Sequence, residues 1–396
     1  MNRTDSYLDY AAGAPLLPAA RDAYLAADVP GNPSALHRAG RRARETAEAA
    51  REQIAQALGA QPAEVILTSG GTEADGLAIQ GLYRARQAGP TARPLVLVSA
   101  VEHHAVLDNA QLTGGQVVTI PAGPDGMADL TFVERHLATQ ADQTALISLM
   151  AANNETGALQ PVQDLVALAA AAGVPVHCDA VQLVGKAPFS FGVAGLAAAT
   201  VSAHKLGGPV GVGALLAGRG AAIKPVIGGG GQERGVRSGT IDARGAAGFA
   251  AALVAATANT TAEAARLEAL LAPLDALVAG HPDLSLNTPL GRHLPGLRNI
   301  ALAGARGEAL VYLLDQQGIA VSTGSACTAG LPQASHVLLA MGQTDEQARS
   351  AIRVSLGWAT TAADVAALVA ALPAAVAAAQ RAAAVPPPGQ GAGVDR

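Results

Sequence analysis

The chain has 396 residues, half of them hydrophobic, with 26 basic and 31 acidic residues and a formal net charge of −5. That length can bury the cores of two or three domains, and the negative field argues against nucleic acid or anionic lipid as partners. Two cysteines, Cys178 and Cys327, exclude a disulfide framework, and neither sits in a C-x-x-C pair.

Residues 1–20 hold one Arg, two Asp and no long apolar run, and apolar stretches elsewhere are interrupted before they could span a bilayer. The expectation is a cytoplasmic protein outside any membrane. Residues 37–58 put Ala43, Ala47, Ala50, Ile54 and Leu58 at helical spacing, with Arg41–Glu45 and Arg44–Glu48 pairs on the solvated side. Apolar runs bounded by turn signals follow at 65–67, 95–98, 117–120, 145–149, 174–176, 199–201 and 213–216, and read as buried strands. Helix-length segments such as 73–88 and 163–172 lie between them, the alternation of an α/β region with a mostly parallel sheet covered by helices. Residues 245–278 are Ala- and Leu-rich with helical periodicity, and Pro273 argues against one unbroken helix. Strand runs at 299–302, 319–322 and 352–356, with helices over 308–316 and 364–381, make a smaller α+β region. Residues 385–396 hold three Pro and three Gly and are predicted to be a disordered tail. No repeat of fixed period is present.

The chemistry-bearing residues fall at strand ends. Thr68-Ser69-Gly70-Gly71-Thr72-Glu73 joins a strand to a helix start, where glycines let backbone N–H groups face an anion; the same composition also suits any tight turn. No G-x-G-x-x-G or P-loop lysine pattern supports a dinucleotide or ATP site. In Val176-His177-Cys178-Asp179 an acid ends a buried strand, and Cys178 faces away from the other two, which disfavours a metal. Cys178 reads as a small buried hydrophobe. Ser202-Ala203-His204-Lys205 ends another strand, and Lys205 is one of three lysines with Lys186 and Lys224. An amine can lose its proton and condense with an aldehyde, which guanidinium cannot, although a composition bias would also leave few lysines. Together the anion cup, the carboxylate and the lysine are what a pyridoxal phosphate site needs.

These motifs resemble those of cysteine desulfurases of the iron-sulfur-cluster and nitrogen-fixation type, among the fold-type I pyridoxal enzymes. The resemblance runs along nearly the whole chain. It rests on Tyr7-Leu8-Asp9-Tyr10-Ala11-Ala12, Gly31-Asn32-Pro33-Ser34, the segment 68–75, Glu102-His103-His104, Asn153-Asn154-Glu155-Thr156-Gly157, Asp179-Ala180-Val181-Gln182 and Ser202-Ala203-His204-Lys205. It continues through Gln232-Glu233-Arg234-Gly235, Arg237-Ser238-Gly239-Thr240, Gly324-Ser325-Ala326-Cys327-Thr328 and Arg353-Val354-Ser355-Leu356-Gly357.

The resemblance implies a large domain over 14–260 with a mostly parallel seven-stranded sheet and a small domain from 1–13 and 261–384. It implies that Lys205 carries pyridoxal 5'-phosphate, Asp179 keeps the ring nitrogen protonated and Gln182 bonds the ring oxygen. His103 would stack on the ring and act as acid or base, while Gly71, Thr72, Ser202 and His204 bind the phosphate. Thr240 would reach the phosphate of the other subunit of a homodimer. Arg353 and Asn154 would hold the carboxylate of L-cysteine, and Cys327 would take the sulfur as a persulfide for a sulfur-acceptor or cluster-scaffold protein. A selenocysteine lyase or aminotransferase of the same fold, and a non-catalytic partner protein, are the competing readings; the last would be expected to lose Lys205 or Arg353. Val210 stands where many relatives have Lys, and Leu331-Pro332-Gln333-Ala334-Ser335 departs from the commoner Leu-Glu-Pro-Ser arrangement.

Overall fold

The structure, a computed structural model, describes residues 5–28, 30–89, 91–324 and 333–384. The expectations for Cys327 and for the tail 385–396 therefore lie outside the described residues.

In chain order the strands are β1 (Ser6–Tyr7), β2 (Val65–Thr68), β3 (Leu95–Ser99), β4 (Gln116–Ile120), β5 (Thr144–Ser148), β6 (Val176–Asp179), β7 (Ala198–Ser202), β8 (Gly213–Ala217), β9 (Leu284–Leu286), β10 (Leu297–Leu302), β11 (Ile319–Ala320) and β12 (Ala351–Ser355). Seven of them form one sheet in the order β2-β8-β7-β6-β5-β3-β4. Only β8 runs against its neighbours, so the other six deliver their carboxyl ends to one edge. Their near-continuous Val, Leu, Ile and Ala runs are what a sheet covered on both faces requires; β4, at the border, is the partly exposed exception. The strand expected at 174–176 is displaced to Val176–Asp179, because Pro175 has no N–H to give and regular pairing begins after it.

One hydrophobic core packs this sheet between helices and includes Leu97, Ile147, Cys178, Phe249 and Leu253. A second joins Leu8 to Leu271, Ile300, Leu310, Ile352, Leu368 and Leu372 around the antiparallel sheet β12-β10-β9 and the parallel pair β1-β11. We propose that these two cores are the large domain (14–260) and the small domain (1–13 with 261–384).

Local readings needed three corrections. The Ala-rich stretch is two helices, Ala243–Thr257 and Thr260–Gly280, and Pro273 lies inside the second. Packing of Leu267, Leu271, Leu274 and Val278 on one face outweighs the ~3 kcal/mol that an internal proline costs. Arg41 and Arg44 donate to the carbonyls of Leu36 (2.7 Å) and Pro33 (2.8 Å) in the preceding loop, not to Glu45 and Glu48, and Glu48 pairs with Arg51. Helix Ala362–Ala383, with mean hydropathy 1.9, is long and apolar enough to cross a membrane by length and composition. Its Val365, Leu368, Leu372 and Val376 are nevertheless buried in the second core.

The loop that carries Thr240 is tied down by a buried ion pair. Arg51, from helix Arg38–Ala57, donates Nη1 and Nη2 to the two carboxylate oxygens of Glu233 at 2.7 and 2.8 Å, and Glu233 also accepts the Leu67 N–H of β2 at 2.9 Å. Removing the carboxylate would leave that N–H unpaired and the buried guanidinium with only Glu48 and the Val65 carbonyl as acceptors. Glu233→Ala should therefore lose about 3–5 kcal/mol of stability in urea unfolding; a loss below ~1 kcal/mol would show that the pair is not what holds the loop.

Candidate active site

The carboxyl edge of the sheet opens into a cavity of about 360 Å³, lined by residues from five strand ends and by Ser322, Gly324, His336 and Arg353 from the second half of the chain. Gly71, Thr72, His103, Asn154, Asp179, Gln182, Ser202, His204, Lys205 and Arg353 all line it, so ten of the residues singled out from sequence meet in one place.

Thr72 and Gly71 begin helix Gly71–Gln87, whose first N–H groups have no acceptor within the helix. The approach is tight: a Cβ on Gly213 would come within 2.8 Å of the Gly70 backbone, so glycine there lets β8 lie against the cup. Ser202 Oγ and His204 Nδ1 are hydrogen-bonded at 2.9 Å beside it. Burial first, then Lys205, lowers the His204 imidazole to about 4, so the cup is built from neutral groups and a helix N-terminus.

Lys205 ends the turn Ala203–Lys205 after β7 and donates to the carbonyls of Ala11 (2.8 Å) and Ala12 (2.9 Å). Those carbonyls are presented by the N-terminal segment, which is pinned by Ala11 N–H to Ser355 Oγ, Ala14 N–H to the His204 carbonyl and Leu17 N–H to the Gly207 carbonyl. Burial, helped by Arg353 and opposed by Asp9 and Asp179, lowers the amine to about 8.

Asp179 is buried and accepts the Val181 N–H at 2.9 Å. Burial raises its carboxyl to about 6, while that N–H and Lys205 pull the other way. Two further buried acids, Asp75 and Glu102, are pushed well up by burial and then by Asp179. Three carboxylates cannot all ionise in such a space. Glu102 also accepts an N–H, from Met150 at 2.7 Å, but of the three only Asp179 has the Lys205 amine pulling it down as well, which favours the charge there.

His103 caps helix His104–Gln111 by accepting the Ala105 N–H on Nδ1 at 3.0 Å. Burial, then Lys205, His104 and His336, lowers it to about 4. A neutral ring whose Nδ1 accepts carries its hydrogen on Nε2, so His103 is a donor from that atom.

Arg353 is held from both sides, by Asp9 Oδ1 on Nη2 (2.7 Å) and the Asn154 carbonyl on Nη1 (2.8 Å), with Nε buried and without a partner. Arg353 is only 3% exposed, so its pairing with Asp9 is not a surface ion pair. Thr240 lies outside this cavity, exposed beside Ser69, Arg237 and Asp242. Cys178 is fully buried in the large core, with its thiol pushed well up by burial first and then by Asp179.

Sequence reasoning gave no role to Asp9, Asp75, Glu155, His336 or Lys186. Glu155 is buried and accepts from Ser335 Oγ, and His336 Nε2 meets the Glu102 carbonyl at 2.9 Å. Asp9 and Glu155 sat within the recognised motifs, but nothing in their spacing announced what they would touch. His336 and Lys186 carried no signal except, for Lys186, the scarcity of lysine.

Residues 6–368 match the aminotransferase class-V family. The chain belongs to that family. It is 45% identical over 369 residues to an IscS-like cysteine desulfurase of Mycobacterium tuberculosis, covering 91% of this chain and 93% of that one. A solved NifS-like protein superposes with a TM-score of 0.86 at 32% identity, over 94% of this chain and 99% of the other. SspA, solved in complex with cysteine, gives a TM-score of 0.75 at 29% identity, over 89% and 98%.

The family's cofactor is pyridoxal phosphate, and the cavity fits it. The helix N-terminus with Ser202 suits a phosphate, Asp179 a protonated ring nitrogen, and a buried amine an aldehyde. Both Lys186 and Lys205 have lowered proton affinity, Lys186 to about 7, so titration alone would not choose between them. Of the two, only Lys205 lines this cavity. Attachment needs the neutral amine, so its rate on apoprotein should rise as pH climbs to about 8 and level off above it. A rate still rising at pH 10, followed by absorbance, would mean that Lys205 behaves as an exposed lysine.

Proposed function

We infer that the protein is a pyridoxal-phosphate-dependent cysteine desulfurase that converts L-cysteine to L-alanine. The observation that carries this reading is the meeting, in one cavity, of an amine, a buried carboxylate, an anion cup and a buried guanidinium, on a chain similar to cysteine desulfurases over nine-tenths of its length.

In the proposed mechanism Lys205, freed from the Ala11 and Ala12 carbonyls, holds the cofactor and moves a proton at its Nζ. Gly71, Thr72, Ser202 and His204 bind the phosphate, and Asp179 keeps the ring nitrogen protonated. Gln182 donates to the ring oxygen and His103 covers the ring. The bound cofactor supplies an electron sink at the substrate Cα. Arg353 takes the substrate carboxylate, helped by Asn154; its attachment to Asp9 keeps the guanidinium aimed and leaves it one buried N–H without a partner. The Cys327 thiolate attacks the substrate sulfur, an S–S bond forms, the Cβ–S bond breaks, and Cβ takes a proton to become the methyl of alanine. Cys327 is left as a persulfide, so no external oxidant is needed.

We further propose a cytoplasmic homodimer in which Thr240 completes the partner's phosphate site, with the persulfide passed to a sulfur-acceptor or cluster-scaffold protein. Thr240 is exposed and does not line its own cavity, and Leu36 and Val210, at 84% and 86% exposure, are apolar surface that a second copy would cover.

Cys327→Ser should keep the cofactor spectrum and bind cysteine, yet make less than about one-hundredth of the wild-type alanine, since a serine hydroxyl gives no thiolate at neutral pH. Alanine formation at the wild-type rate would refute the persulfide mechanism. Arg353→Lys should raise the KM for cysteine about tenfold or more, because an ammonium cannot hold the substrate carboxylate bidentately; an unchanged KM would remove Arg353 from the substrate site.

A further inference from the structure

Lys186 has no place in that mechanism, yet it is buried beside it. Its Nζ donates to Gln182 Oε1 at 2.8 Å, Gln182 Nε2 donates to the Ala11 carbonyl at 3.0 Å, and the same carbonyl accepts Lys205 Nζ at 2.8 Å. Gln182 lines the main cavity, whereas Lys186 lines a neighbouring one of about 220 Å³ walled by Tyr10, Leu17, Leu206 and Trp358. Lys186 is thus outside the reacting space and in contact with a residue that lines it.

A glutamine amide can sit two ways round, and at this position only one is chemically consistent. An ammonium has donors and no acceptor, and a backbone carbonyl accepts only. Turning the amide over would set its N–H groups against Lys186 and its oxygen against the Ala11 oxygen, breaking both hydrogen bonds in a buried place. Oε1 must therefore face Lys186. One Nε2 hydrogen goes to Ala11, and the other remains for the cavity that Gln182 lines.

We propose that Lys186 is a positioning residue: it fixes Gln182 as a hydrogen-bond donor toward the ring oxygen of pyridoxal phosphate and does not itself carry the cofactor. The inference rests on the reading of Gln182 given above. Without Lys186 only the Ala11 carbonyl in this chain of contacts would oppose an amide turned over to present an acceptor to an anionic oxygen. When Lys186 is neutral it still has N–H to give but also gains a lone pair, so the orientation is then held jointly with the Ala11 carbonyl, which only accepts.

The test compares Lys186→Met, Lys186→Arg, Gln182→Ala and the double variant Lys186→Met/Gln182→Ala. Readouts are the affinity of each apoprotein for pyridoxal phosphate and the position of the visible band after reconstitution, neither of which depends on turnover. Gln182→Ala should weaken binding about tenfold and move the band. Lys186→Met should reproduce both changes and the double variant should add nothing further. Lys186→Arg, still a pure donor, should bind close to wild type, and it answers the question if the Met variant does not fold. Should Gln182→Ala change affinity and band while Lys186→Met leaves both alone, or should the two losses add, the positioning role is wrong and the reading of Gln182 stands. Should Gln182→Ala itself change neither, that reading falls and the inference with it. Borohydride-fixed cofactor mapped to Lys186 would also overturn it.

Discussion

Lys205 is held by two peptide carbonyls where a carboxylate would have bound it more tightly. A neutral acceptor gives an ammonium somewhere to point without adding a countercharge that would lock the proton on. Burial and the Arg353 cation then bring the amine down to about 8, within reach of its neutral form at working pH. The N-terminal segment exists in its observed path for this purpose: it leaves β1 in the small core, crosses beneath Ser355, presents Ala11 and Ala12, and is fixed again to the turn after β7. Asp9, two residues before Ala11, meets Arg353 on the same stretch. One short strap thus carries the acceptors of Lys205 and the counter-ion of Arg353.

The other electrostatic condition is that the cleft should not be full of charge before it is filled. Burial pushes Asp75, Glu102 and Glu155 toward their protonated forms, Arg353 is matched by Asp9, and burial favours neutral rings at His103 and His204. What remains is the Asp179 carboxylate near the Lys205 amine. A phosphate entering such a site is held by a helix terminus and hydroxyl groups, which cost little to bury because their partners are already ordered. In the proposed site the cation at the ring nitrogen would meet Asp179 and the phosphate would meet the helix terminus, each a protein group of matching character.

Much of this was legible before any coordinates. The strand runs are continuous because both faces of the sheet are covered, so their apolar content announces them. Motifs at strand ends could be assembled because a parallel sheet brings carboxyl ends to one edge. What sequence could not give was contact between segments of distant number. Asp9 with Arg353 spans 344 positions, and no periodicity encodes that meeting. Nor could it weigh packing against a local rule, as at Pro273, or foresee that Arg41 and Arg44 would serve loop carbonyls. Lys186 is the sharpest case: its scarcity was visible, but its partner Gln182 lies four positions earlier in an irregular turn, where no helical pattern drew attention to that spacing.

The two cysteines show how burial decides a chemical role. Cys178 lies between His177 and Asp179 in sequence, the surroundings of a reactive residue, but alternation along β6 turns its sulfur into the large core. There the thiolate would have neither water nor a cation, and the nearest ionisable groups, Asp179, Glu102 and Asp75, all oppose a negative charge. A persulfide formed on it could not leave the interior for an acceptor. The proposed sulfur transfer consequently depends on the chain's second thiol, Cys327, whose segment starts from Gly324 packed against Glu155 and Arg353 and returns at Ser335, bonded to that same Glu155.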